Sequence, residues 1–526
     1  MMTILKVPGF LVACICLANN LFAQGFHTDA SETNNNDRIN SLTVTDQRDI
    51  IVAGYYTDCD GRFHSLLGGV DSTGKSLEMF SANGFLLNLL DDSQTTVSAF
   101  LSVSIIDSQI VAAGFVAHSD THVNSVVIRL DSNGTLDNTF GTNGRFMHDF
   151  SAINYVDRII SIATVNNTIV VAGNSIRPLL SNSNVGGFDF FVAKITASGE
   201  LDRNFASNGI FWKDIGQREQ SDNVASVLVD LDGTIIVGGT SIDGNGTPSP
   251  ALLRLTSNGQ LDTEFASGGE QDLFSTKAHI SQYSLLSPDG IIYGAGSTSN
   301  NDFMIIAFHS NGTLVDQFAR NGIFTQSRSH DDVLEALVIL EDSSILAVGR
   351  SNGYAILLQL SVNGQLNASF GDEGIYTFET FSNWQPGSFS ALAAYEGEII
   401  VGGYDLSRPE RTKLSDEDIT LVKIKENGVL DLCFANIELP LAVSIMLNNQ
   451  SDSKSFINGR VDIKGILELQ PPITVKLYNE MNTNVASTVV ELGVLFNFAD
   501  LEGNEYRIDI DQCEQRRATI SKLPYK

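Results

Sequence analysis

Apolar and polar residues alternate with a period of two over short runs along most of this chain. Val224-Ala225-Ser226-Val227-Leu228-Val229 is one such run, and Ile51-Val52-Ala53-Gly54 is another. A period of two places alternate side chains on opposite faces of an extended strand, so the pattern predicts half-buried strands rather than helices. Gly, Asn, Asp and Ser separate the runs, which is the chemistry of tight turns.

The runs recur as a unit. One anchor reads Asp131-Ser132-Asn133-Gly134-Thr135-Leu136-Asp137, then Phe140, then Asn143-Gly144. It returns around turn glycines 74, 199, 259, 312, 364 and 428, making seven copies spaced 52 to 65 residues apart. The first copy is one residue shorter, and the seventh lacks the second Asn-Gly. A second anchor precedes each first one, at Ala53-Gly54, Ala113-Gly114, Ala172-Gly173, Gly238-Gly239, Ala295-Gly296, Val348-Gly349 and Gly402-Gly403. Turns such as Asp232-Gly233 lie six residues before these glycines, and a further alternating run lies before each turn.

Each unit therefore reads as four antiparallel strands. A single four-stranded sheet cannot bury both faces, so neighbouring units must stack. Seven such units fit a seven-bladed β-propeller of four-stranded blades. The ends suggest how the ring closes. Gln24-Gly25-Phe26-His27-Thr28 is similar to Asn321-Gly322-Ile323-Phe324-Thr325, so an N-terminal strand could complete the seventh blade, with Ile437-Glu438-Leu439 as the alternative. The signature Gly-x-Leu-Asp-x-x-Phe-x-x-Asn-Gly, preceded by an Ile-Val-Ala-Gly strand, resembles the bacterial delta-60 repeat over roughly residues 25 to 439. The resemblance implies an exported β-propeller-like protein and supplies no reaction.

After Pro440 the repeat stops. Pro472-Ile473-Thr474-Val475-Lys476-Leu477-Tyr478 and Glu505-Tyr506-Arg507-Ile508-Asp509-Ile510 belong to a segment similar to a prealbumin-like or carboxypeptidase-regulatory-like β-sandwich. The expected organisation is a signal peptide over 1–23, a propeller over 24–439 and an accessory β-sandwich over 440–526. Lys6 followed by an apolar run and by Leu21-Phe22-Ala23 predicts cleavage after Ala23, and hence a secreted, periplasmic or cell-surface protein. Leu11-Val12-Ala13-Cys14 offers a lipoprotein reading instead. The mature chain would keep Cys59, Cys433 and Cys513, an odd and widely spaced set that makes no disulfide framework; one Cys433–Cys513 bridge or free thiols remain open. No later run is long enough to span a bilayer.

The net charge of −30, from 62 acidic and 32 basic residues, disfavours nucleic acid and anionic membrane surfaces as partners. Candidate chemistry is sparse. The turn at Asp131 could pass for part of a calcium loop, but its first position becomes Thr196, Thr256, His309, Ser361 and Lys425 in other copies, which fits a hairpin turn instead. Asp137, Asp202, Asp262 and Asp431 sit just after tight turns, where a carboxylate commonly accepts backbone N–H groups. Asp37, Asp157, Asp222 and Asp332 precede the first strands of four units; they could ring one mouth of a central channel around a cation, or each could cap a loop. His118 and His122 form the one close histidine pair, in a variable loop. No nucleophile elbow, dinucleotide fingerprint or phosphate loop is present.

The sequence thus assigns no catalytic, cofactor-binding or metal-ligating residue, and no cofactor. It points to a monomeric, non-catalytic binding or adhesion protein whose loops meet an extracellular glycan, peptide or host surface, because the loops after the Ala-Gly strands vary in length on a constant scaffold. The alternatives are a hydrolase or lyase with its site in the central channel, or a purely structural envelope protein.

Overall fold

The computed structural model describes residues 36–425, except 59, 82–83, 92–94, 120–121, 132, 152–155, 166, 179–184, 217–219, 274–275, 287–289, 379–385 and 408–415. It gives the strands Phe26–Thr28 and those between 441 and 521 as backbone alone, as it does for 177–186, 283–289, 386, 405–419 and 425. The expected signal segment and Cys59, Cys433 and Cys513 lie outside the described side chains.

Seven four-stranded antiparallel sheets follow one another along the chain, at 37–87, 97–148, 157–213, 223–272, 278–326, 333–377 and 386–425 with Phe26–Thr28. Within the first six sheets the strands lie in chain order, first to fourth. First strands of consecutive blades touch, and Pro386–Tyr395 of blade 7 touches Asp37–Val44 of blade 1, so the blades close a ring with the first strands around the axis. The closing strand is N-terminal. Phe26–Thr28 pairs antiparallel with Asp416–Lys425, Phe26 opposite Leu421, in the place a fourth strand of blade 7 would occupy. The fold is an all-β, seven-bladed propeller.

An apolar core fills each of the seven spaces between adjacent blades. Phe100 and Leu130 meet Leu67 and Phe80 between blades 1 and 2, and Ile39 and Leu66 meet Ala391, Ile400 and Leu421 between blades 7 and 1. The remaining five cores join the intermediate pairs in the same way. This is why the alternating pattern has two apolar faces in the second and third strands: each sheet packs on both sides.

The glycine of the second anchor has a specific cause. Every first strand carries a β-bulge at the same place, between Ile39 and Ser41 in blade 1 and between Phe100 and Ser102 in blade 2, for example. Just before the bulge, the first strand's carbonyl oxygen lies over the glycine of the second strand. A Cβ added to Gly54, Gly114, Gly173, Gly239, Gly296, Gly349 or Gly403 would sit 1.8 to 2.1 Å from that oxygen. Only glycine leaves room. The bulge also aims side chains at the next blade: Ser41, Ser102 and Ser161 hydroxyls accept the amides of Val103, Ile162 and Val227 at 3.2, 3.2 and 3.1 Å. Gln282 does the same for Leu337 at 2.6 Å.

The first anchor fastens the blades near the rim. Phe140, Phe205, Phe265, Phe318 and Phe370 are essentially fully buried. The amide after each of the first four donates to the turn of the following blade, as in Ala206 to Asn258 O at 2.8 Å and Ala266 to Asn311 O at 2.7 Å. The following turn glycine has φ near +80° and packs on the phenylalanine, Gly312 against Phe265 being one case. Asp137 fixes its own turn through the Thr139 amide at 2.9 Å and also binds Arg129 Nε at 2.9 Å. Arg129 continues to Ala197 O of the next blade at 2.7 Å, its guanidinium 4.8 Å from the centre of the Phe140 ring. Arg254 repeats this with Asp262, Ser310 O and Phe265, and Lys423 reaches Ser72 O at 3.2 Å across the closure.

C-terminal to the ring, Leu441–Asn449, Ser455–Ile463 and Leu495–Leu501 form a three-stranded sheet. Asn484–Val490, Ile473–Asn479, Glu505–Asp511 and Arg517–Ser521 form a four-stranded one, in that spatial order. Among the described residues no helix is long and apolar enough to cross a membrane.

Candidate functional site

Antiparallel order divides the propeller into two unlike faces. Connections from first to second and from third to fourth strand leave one end of every blade, and these carry the repeated turns and rim fasteners. Connections from second to third strand, and from the fourth strand to the next blade, leave the other end. Here the lengths vary, from the two residues between Ser351 and Tyr354 to the nine between Leu87 and Val97. The polar clusters that follow no repeat all gather at this variable-loop face.

The four aspartates ahead of the first strands are on this face but do not ring a mouth. Asp37, Asp157 and Asp332 are fully buried and Asp222 is 1% exposed. Asp332 accepts the Arg328 and Ser329 amides at 2.6 and 2.8 Å and the Ser351 hydroxyl at 2.6 Å. Asp157 accepts the Ser151 amide at 3.0 Å and the Ser175 hydroxyl. Asp222 accepts the amides of Ile215 and Gly216. Asp157, Asp222 and Asp332 each cap the loop entering their blade, the second of the two roles read from the sequence. Burial pushes the Asp157 carboxyl up to about 7, helped by the charge of Asp149 and opposed by its Ser175 and Ser151 hydrogen bonds. Burial likewise lifts Asp222 to about 6. Asp332 is held below the ordinary range: burial raises it, but four hydrogen bonds outweigh that.

Residues beside these aspartates' positions, at the same end of the first strands, are more open. Arg158, Asn223 and His279 are exposed, and Arg38 is half-buried, although each stands on a first strand with neighbours on both sides. Such side chains reach solvent through the channel mouth. Crowding there lowers both the Arg158 and the His279 pKa, since a confined cation is poorly hydrated. Arg38 lies 4.1 Å from the centre of the Tyr404 ring, and Arg158 lies 4.9 Å from that of Phe115. Asn223 Oδ1 is 3.4 Å from Asn174 Nδ2.

His64 sits between two carboxylates, with Nδ1 2.5 Å from Asp91 and Nε2 3.0 Å from Asp58. Burial alone would lower its pKa, but hydrogen bonds and charge from Asp58 and Asp91 outweigh it and raise the imidazolium above its ordinary value. Asp91 also accepts Ser98 Oγ at 2.5 Å, and the Tyr56 ring stacks on His64. Both ring nitrogens are engaged by carboxylates, which makes this a charge lock between blade 1 and the connection to blade 2. His118 and His122 do meet, their rings 5.5 Å apart across a hairpin, with His122 Nε2 3.3 Å from Asn124 Nδ2.

One grouping has no counterpart in the sequence reading. Asp189 and Asp214 of blade 3 converge on Asp222. They lie 33 and 8 residues from it, on a strand and in a connection of irregular length, so no spacing rule could have brought them together. The Asp–Arg fastener was legible, by contrast. Eight residues before each Asp stands Arg129, Lys194 or Arg254, whereas Asn367 faces Gln359 and Val315 faces Ala307.

The model of a family described as a domain of unknown function (DUF5122) beta-propeller matches residues 107–140 and 231–265. Both segments run from the turn after a first strand to the rim phenylalanine, in blades 2 and 4. No curated protein sequence matches the chain. Solved structures with similar folds include a puromycin hydrolase, 12% identical over 84% of this chain at a TM-score of 0.40. Semaphorin 2a of Drosophila is 7% identical, with 96% of this chain and 98% of that one covered, at 0.41. Prolyl oligopeptidase B from Galerina marginata is 10% identical over 82% of this chain, at 0.42. The chain spans 61% of the puromycin hydrolase and 56% of the oligopeptidase. Likeness this distant concerns the β-propeller fold alone.

Proposed function

We propose that the protein is an exported, non-catalytic binding or adhesion module that takes an extracellular or envelope ligand on its variable-loop face. One observation carries this reading: blades 1 to 6 repeat the same glycine turn between third and fourth strands on one face, whereas the connections on the other face vary in length. The delta-60-like repeat and the N-terminal Lys6-to-Ala23 pattern support export. The segment after Pro440 serves as an accessory β-sandwich. Arg38, Arg158, Asn223 and His279 at the channel mouth give the face cationic and hydrogen-bonding groups within an otherwise acidic chain, a combination suited to a carboxylate-bearing glycan or peptide. The hydrolase or lyase reading lacks support from His64, whose ring nitrogens are both committed to carboxylates.

Glycan and peptide arrays probed with the full chain test the proposal. A competable hit that weakens at least about tenfold in Arg158→Ala or His279→Ala, but not in Lys75→Ala on the opposite face, is the expected result. A hit equally sensitive to Lys75→Ala, or turnover of an arrayed glycan or peptide, would overturn it.

A further inference from the structure

Asp189, Asp214 and Asp222 each bring one carboxylate oxygen within 4.8 Å of the other two. Asp189 is on the third strand of blade 3, Val185–Ile195; Asp214 follows its fourth strand, Ile210–Lys213; and Asp222 precedes the first strand of blade 4, Asn223–Val229. Asp189 is 8% exposed and Asp222 1% exposed. Asp222 Oδ2 is occupied by the Ile215 and Gly216 amides at 2.7 and 3.2 Å. Among the described residues its Oδ1 is fully buried and has no hydrogen-bond partner. A buried carboxylate oxygen without a partner is costly, and a second and third carboxylate beside it make the site more so.

We propose that Asp189, Asp214 and Asp222 form a calcium site that ties blade 3 to blade 4. The donors are all carboxylate oxygens, which select a hard divalent cation over zinc or copper. Calcium binds oxygen at roughly 2.3–2.6 Å, so two ligands of one ion lie at most about 5.2 Å apart. All three oxygens therefore fit a single coordination sphere. Gly216 keeps the space beside Oδ1 open: a Cβ there would come within 2.9 Å of Asp222 Oδ1 and 2.5 Å of Ile242 O. The ion would neutralise the cluster and fasten the connection from the fourth strand of blade 3 to the first of blade 4, stiffening the variable-loop face. The site does not depend on which ligand that face takes.

Calorimetric titration of calcium into chelator-treated full-length protein tests this directly. One ion per chain is expected at the site, with affinity reduced at least about tenfold in Asp214→Asn and Asp222→Asn. Calcium should raise the melting temperature of the parent and not of Asp214→Asn. Terbium should show emission sensitised by Trp212, two residues from Asp214, and calcium should quench it by displacement. Asp222 also holds two backbone amides, so if Asp222→Asn does not fold, Asp214→Asn alone decides. Unchanged melting with calcium, or a Asp214→Asn variant that binds calcium like the parent, would overturn the assignment.

Discussion

Gly114→Ala separates steric from conformational causes for the repeated glycine. Gly114 does not have the positive φ that would make alanine strained. On backbone entropy alone, alanine in a strand should stabilise the fold by about 0.4–1 kcal/mol. The structure reverses that sign. The new Cβ would lie 2.0 Å from Ala99 O, 2.9 Å from Phe100 Cα and 3.0 Å from Ala99 C, all backbone atoms of the bulged first strand. Relief requires that strand to move by about 1 Å, against its own ladder and the Ser41–Val103 bond to blade 1. Overpacking of this kind costs roughly 1–3 kcal/mol, and more where backbone must shift. We expect a net loss of about 3 kcal/mol. Gly61→Ala is the control: φ is +80° and nothing lies within 4 Å, so only left-handed strain of about 1–2 kcal/mol applies. Urea unfolding followed by near-ultraviolet circular dichroism gives the midpoints. A Gly114→Ala midpoint equal to or above the parent's would refute the close-approach explanation for all seven glycines.

Asp157 carries a pH dependence of definite sign. Its folded pKa of about 7 lies above the ordinary 3.8, so the folded state holds the proton longer. Its contribution is complete below about pH 4 and is lost as pH rises through 7, by up to about 4 kcal/mol at 1.36 kcal/mol per unit. Asp157→Asn should therefore flatten the fall in melting temperature between pH 5 and 8, and parallel curves for parent and variant would contradict this. The Arg129–Asp137 fastener should behave as a coupled pair. Arg129→Ala or Asp137→Val alone should each cost about 1–3 kcal/mol by stranding a partly buried charge. The double variant reproduces the Ala307–Val315 pair of blade 5 and should recover part of that loss; strictly additive losses in a double-mutant cycle would count against the pairing.

Blade number, strand count and the N-terminal closure could be read from the chain because they rest on local, repeated chemistry. A period of two, positive-φ turn glycines and a buried phenylalanine carry the same information in each of the six copies whose turns are described. The role of Asp137 and its relatives was legible for the same reason, and the eight-residue partnership with Arg129, Lys194 or Arg254 could have been read from the repeats as well. The Ala-Gly anchor was visible as a pattern, but its cause was not. The carbonyl over each glycine comes from a bulge on the neighbouring strand, and a bulge leaves no fixed mark in sequence. Only the tertiary structure decided between a carboxylate ring and loop caps for Asp157, Asp222 and Asp332, since that depended on which way the carboxylate at the start of each inner strand faces. It alone placed Arg158 and His279 at the mouth and gathered Asp58, His64 and Asp91, or Asp189, Asp214 and Asp222. Those residues stand on different strands and in connections of unequal length, and it is the packing of blades into a ring, not spacing along the chain, that sets the distances between them.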